Sequence, residues 1–202
     1  MKDREHSRQH TVAGSQNIAD RDFWLETFSG DWVKTSFPTT AVTRKEQDNG
    51  NEKNSLEIRF TEELSRRMMT VTRQSAVKIH VVLSAATAVL LSRYSGSNDI
   101  ILGIPTYKQD VQGDLINTVL SLRIPLQPDT TFKELLIQVG KTVFQANEHQ
   151  NYPVDTLIYK LELQAAPGEF PLFDTAVLLE NIHDKQTVEI IVSFRPAGTG
   201  PH

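Results

Sequence analysis

The 202-residue chain contains no cysteine, so acid–base or metal chemistry must come from its six histidines and its carboxylates. His6 and His10 stand four apart, a spacing that can place two imidazoles on one helical face. They sit in the polar stretch MKDREHSRQH with no third ligand pattern nearby, and read as solvated. His80 opens a long apolar run and reads as a hydrogen-bonded structural residue. His149 lies in His-Gln-Asn-Tyr-Pro, which crowds polar groups ahead of a Pro-fixed turn. With no carboxylate placed to orient it, it too reads as structural. His183 falls between two strand-like segments, as an exposed turn residue would. Lys108, Asp110, Asp114 and Arg123 surround two central strand candidates and read as an ion-pair network. There is no G-x-S-x-G, P-loop or G-x-G-x-x-G; the only G-x-G is Gly198-Thr-Gly200 in the terminal tail. No self-sufficient active site emerges.

The elements that would position these residues follow from periodicity. Residues 1–20 form a polar lead-in without sustained pattern and read as mobile. From Arg21, Phe23, Trp24 and Phe28 fit one short amphipathic helix stopped near Gly30. Residues 44–54 are charged and read as an exposed loop. Leu56, Ile58 and Phe60 alternate with polar residues as in a half-buried strand. Thr61 suits an N-cap, followed by an apolar stripe of Leu64, Met68 and Val71; the pair Met68-Met69 adds soft apolar surface, one of the two being core. Ile79 to Leu91 is apolar nearly all round, too short to span a bilayer, and reads as a buried helix ended at Gly96. Residues 99–106 look like a strand covered on both faces, and 116–126 like a second. Thr131 and Glu134 have capping-box spacing, with Phe132, Leu135, Leu136, Val139 and Val143 on one face of the helix they open. A short helix follows Pro153, and 173–181 and 187–194 read as strands. The class is α/β or mixed α+β, helices packed on a mostly central sheet.

Composition agrees. Hydrophobic residues are 39%, charged residues 23% and the formal net charge is −4, values of an ordinary globular domain. The acidic balance argues against nucleic acid as partner. The polar N-terminus is unlike a signal peptide, so a cytoplasmic location without membrane partners is expected.

Several segments, from about Asp22 to Phe194, resemble the second half of a condensation domain from a nonribosomal peptide synthetase. RDFWLETFSGD is similar to the helix after that family's mid-domain motif. LLSRYSGSNDIILGIPTYKQD is similar to its helix, Gly turn and strand. LINTVLSLR matches "V-N-T-L-x-L-R" at Asn117, Thr118, Leu120, Leu122 and Arg123. The stretch around His149 resembles "N-Q-x-Y-P-F-E", with Gln150, Tyr152 and Pro153 in place and Val154 and Asp155 for the usual Phe and Glu. FPLFDTAVLLEN resembles the last common motif at Pro171, Leu172, Phe173, Asp174 and Asn181.

The resemblance implies one lobe of a chloramphenicol-acetyltransferase-like fold, over residues 21–195 with a tail at 196–202. The family's catalytic His-His-x-x-x-Asp-Gly belongs to the other lobe and has no counterpart here, so the expectation is a truncated lobe with no catalytic residue. The matched positions Asn117, Thr118, Arg123, His149, Gln150, Tyr152, Pro153, Phe173 and Asp174 are expected to be structural. The closing strand and helix that customarily follow "S-F-R" are also expected to be missing. No cofactor or metal is expected to bind directly; phosphopantetheine on neighbouring carrier proteins is implied by the family. The partners so implied are an adenylation domain of the same synthetase, a carrier protein, or a second copy. A split enzyme that needs a separate first lobe is the alternative, as is docking of a trans-acting enzyme.

Overall fold

The computed structural model describes residues 18–37, 58–107, 116–165, 169–179 and 182–183, with the backbone of 192–194. His6, His10, Lys108, Asp110, Asp114, Asn181 and the tail lie outside the described residues.

Helix α1 covers residues 18–27 and ends where Gly30 takes φ 71°, a value that suits glycine. It therefore begins inside the stretch read as lead-in, because Asp20 is buried and bonded while Trp24 and Phe28 enter the core. Helix α2 (Glu62–Thr72) starts at Thr61, whose hydroxyl accepts the Leu64 N–H. Its predicted stripe is only partly used: Met68 is buried, whereas Leu64 and Val71 are exposed, since α2 rests chiefly on the single helix that follows. Ahead of it, residues 58–60 form no strand and Ile58 is 73% exposed, so the alternation does not make a strand there; the start of that expected strand and the loop expected at 44–54 lie outside the described residues.

Helix α3 (Ala76–Ser95) is capped by Ser75 and closed by Gly96 in the left-handed region. At 20 residues it is longer than its apolar run predicts, and long and apolar enough to cross a membrane. Its composition is explained by burial, since Ile79, His80, Ser84, Ala85, Thr87, Ala88 and Leu91 all face inward. Strands β1 (Asp99–Pro105) and β2 (Val119–Pro125) pair antiparallel, with Ile101 opposite Arg123 and Gly103 opposite Ser121. Helix α4 (Phe132–Glu148) begins with the full Thr131–Glu134 capping box and buries Leu135, Val139, Val143 and Ala146. Phe132, read as part of that stripe, stays half exposed in the first turn.

After α5 (Val154–Lys160) come β3 (Val177–Leu179) and β4 (Val192–Phe194), which pair in parallel. A parallel bridge from Gly103 to Ala176 joins the two pairs, giving the order β2-β1-β3-β4. The strand read from residue 173 begins later than predicted, as Phe173 and Asp174 serve other contacts, described below. The main apolar cluster lies between the sheet and helices α1, α3, α4 and α5, and a smaller one joins Met68, Ile79 and Leu179 beside α2.

Candidate functional site

The matched residues fall into three junctions. At the first, buried Asn117 just ahead of β2 bolts the turn between α4 and α5. Its Nδ2 donates to the carbonyls of Gln150 (2.6 Å) and Tyr152 (2.7 Å), and its Oδ1 accepts the Val154 N–H at 2.8 Å. An amide suits this role because it alone offers two donors and an acceptor on one planar group. Tyr152 is buried beside it, and Pro153 sets the N-cap of α5. Thr118 is exposed and contributes its carbonyl, which accepts the Thr106 N–H. The cavity beside Asn117 is about 10 Å³, enough for one water and no substrate.

His149 closes α4 at this junction, and here the structure corrects the sequence reading. The histidine does have an orienting carboxylate: its Nδ1 lies 2.7 Å from Oδ1 of Asp20, which is 1% exposed. Phe23 stacks on the imidazole at 4.2 Å, and Trp24 Nε1 donates to the His149 carbonyl at 2.7 Å. The arrangement fastens α1 to the end of α4 across 129 residues of sequence.

The second junction belongs to Arg123 on β2. Its guanidinium grips Asp99 on β1 (2.7 and 2.9 Å) and donates to the carbonyls of Thr27, Ser29 and Asp31. Those carbonyls lie at and beyond the C-terminal end of α1, where a cation is favourable. Arg123 thus pairs with Asp99; Lys108, Asp110 and Asp114, the rest of the ion-pair network read from the sequence, lie outside the described residues.

The third junction surrounds Phe173 and Asp174. The Phe173 ring lies so close over Gly103 that a Cβ there would come within 2.3 Å of it. Gly103 N–H donates to Thr175 at 2.8 Å, so the missing side chain lets β1 and the β3 approach meet. Asp174 binds Lys34 at 2.6 Å and also Ser36. Burial pulls Lys34 down, but the hydrogen bond and charge of Asp174, with Glu169, outweigh it and raise its pKa above the ordinary value. Thr35 next to it caps β1, accepting the Ile101 N–H at 3.0 Å.

Sequence reasoning missed one cluster. His183, read as exposed, is fully buried against His80 and Tyr107, with ring centroids 4.5 and 5.3 Å away. His80 is bonded, as read: its Nε2 meets the Val177 carbonyl at 3.1 Å. Burial lowers the pKa of His80 to about 4 and raises that of Tyr107 to about 12, so both are neutral at pH 7. The only hint in the sequence was His183 following the apolar run at 176–179.

A shallow groove of about 600 Å³ runs beside Trp32, Lys34, Leu163 and Glu169, without a convergent acid–base pair. Among the described residues no three His or carboxylate side chains are arranged to hold a metal ion.

Residues 5–198 match the family model described as Condensation domain. Tyrocidine synthase 2 of Brevibacillus parabrevis is 33% identical over 186 residues, covering 86% of this chain and 5% of that protein. Bacitracin synthase 3 of Bacillus licheniformis is 30% identical over 90% of this chain and 3% of its own length. Among solved structures, the starter condensation domain of rhizomide synthetase, crystallised with C8-CoA, gives a TM-score of 0.57 at 20% identity, over 87% of this chain and 38% of that one. The X-domain from teicoplanin biosynthesis gives 0.63 at 18% identity, over 85% and 40%. These likenesses bear out the chloramphenicol-acetyltransferase-like lobe expected from the motifs. The chain spans well under half the length of the proteins and domains it matches.

Proposed function

Because the chain belongs to the condensation-domain family of nonribosomal peptide synthetases, we propose that it works as a noncatalytic lobe, a platform against which the adenylation domain of the same synthetase packs. The observation that carries this reading is the use made of the family motifs. Asn117, Arg123, His149, Phe173 and Asp174 all spend their polar or packing capacity on other parts of the lobe. No two of the six histidines are adjacent, so the sequence offers no His-His-x-x-x-Asp-Gly to assist amide formation. Positioning two thioester arms needs a wall on each side, and one lobe supplies one wall. Phosphopantetheine enters this account only as the arm of neighbouring carrier proteins. A cytoplasmic location fits such a partner.

Size-exclusion chromatography with light scattering tests the proposal on the 202-residue chain, alone and mixed with the adenylation domain of its synthetase. The expected result is a 1:1 complex, with no peptide bond formed when carrier-bound donor and acceptor thioesters are added. A lobe that ignores the adenylation domain and runs as a stable dimer, or one that forms the amide, would overturn it.

A further inference from the structure

Ser121 on β2 and Tyr152 in the α4–α5 turn are each 4% exposed, and neither side-chain oxygen reaches a protein hydrogen-bond partner. Both residues line the cavity of about 10 Å³ beside Asn117, closed by Trp24 of α1 and Leu157 of α5. A hydroxyl withdrawn from solvent is costly unless something replaces the bonds it gave up. The other side chains around the cavity are largely committed. Trp24 Nε1 donates to the His149 carbonyl, and the Asn117 Nδ2 protons go to the Gln150 and Tyr152 carbonyls. Asn117 Oδ1 accepts the Val154 N–H and keeps its second lone pair.

Backbone register adds one more polar group. Gly103 sends its N–H to Thr175, so Ser121, opposite it in the antiparallel ladder, turns its own N–H away from β1. Val119, Leu120 and Ser121 are consecutive on β2 and all line the cavity. It therefore runs along the outer edge of β2, where no described strand pairs. We propose that Ser121 and Tyr152 hold one internal water in this cavity, tying the hydroxyl of the α4–α5 turn to the edge of the sheet. The volume admits one water and no larger ligand. The partners such a water needs are at hand: two hydroxyls able to donate or accept, the spare lone pair of Asn117 Oδ1, and the Ser121 N–H. The ring of Tyr152 serves packing and its oxygen serves the water, so a phenylalanine would supply only the first. This inference is independent of the platform role.

Relaxation dispersion of water ¹⁷O on the full 202-residue chain tests it, since a water held longer than the protein tumbles adds a step in proportion to its number. Ser121→Val suits a strand and replaces the hydroxyl with methyl groups that fill the space. Its dispersion is expected to be smaller than the parent's by one water. The folding constant from denaturant unfolding is the second readout. Tyr152→Phe is expected to lower it about fivefold in the parent, the size of one neutral hydrogen bond. In S121V, where the water is gone, the same change is expected to leave it unaltered. A dispersion that S121V does not reduce, or an equal Tyr152→Phe loss in both backgrounds, overturns the proposal. Should S121V fail to fold, a high-resolution crystal structure of the parent decides: a water within hydrogen-bond reach of both hydroxyls supports it, and density without one overturns it.

Discussion

At the Asn117 junction one side chain satisfies three main-chain groups, while at the β3 edge two side chains are needed to satisfy two. The difference is chemical. A carboxamide carries donors and acceptor together and does not titrate, so the turn at 150–154 is held identically at any pH. Imidazoles divide the two roles between rings, and each role depends on where a proton sits. The first junction relies on a group that does not titrate; the second relies in part on His80, which burial keeps neutral at pH 7. Both are buried, so burial alone does not make a polar contact robust.

The largest effect is expected where the contrast is broken outright. Asn117→Ala leaves the Gln150 and Tyr152 carbonyls and the Val154 N–H without their partner in a packed site, which should cost about 4 kcal/mol of unfolding free energy. Denaturant titration of both proteins measures it, and the loss should be the same at pH 5 and pH 8. A loss that varies with pH would mean the junction is coupled to a titrating group, of which His149 is nearest.

Next in size is the acid response of His80. Its folded value of about 4 lies below the ordinary 6.5, so below pH 6.5 the unfolded chain takes up a proton that the folded one refuses. The stability this neutral histidine contributes is complete above pH 6.5 and declines as pH falls toward 4, by at most about 3 kcal/mol. His80→Gln keeps a donor for the Val177 carbonyl and removes the titration. Its stability curve should flatten relative to the parent between pH 6.5 and 4, while remaining parallel above pH 7.

How much of this was legible divides along the same line. The Thr131–Glu134 box, the Gly96 stop and the two central strands are local patterns, and all were readable from a few consecutive residues. Asn117 and Arg123 could be singled out by motif, but not their partners, which lie 24 and more positions away. Asp20 carried no signal at all, since nothing near it in sequence shows that it is buried under His149. His183 was misplaced because its burial follows from packing on His80 and Tyr107, far away in sequence, and not from composition. The strand expected at 56–60, by contrast, is a good local pattern whose described part, 58–60, is not a strand and leaves Ile58 exposed.

The smallest predicted effect sharpens the comparison at the contact between the two regions. Gly103 sits on β1, between the strand that carries Arg123 and the segment that leads to β3. A methyl group there would overlap the Phe173 ring, and that ring is buried, so something must shift. Gly103→Ala should therefore destabilise by about 2 kcal/mol, as overpacking does. Shrinking the opposing ring should return much of that loss, since Phe173→Leu costs stability alone but makes room for the new methyl. Thermal or denaturant unfolding of the two single variants and the double variant forms the cycle, with a favourable coupling of about 1 kcal/mol expected for residues in contact. If the variants are simply additive, the ring is not what glycine accommodates. The requirement then lies in the backbone approach of Thr175 to Gly103, and β3 is positioned by main-chain pairing.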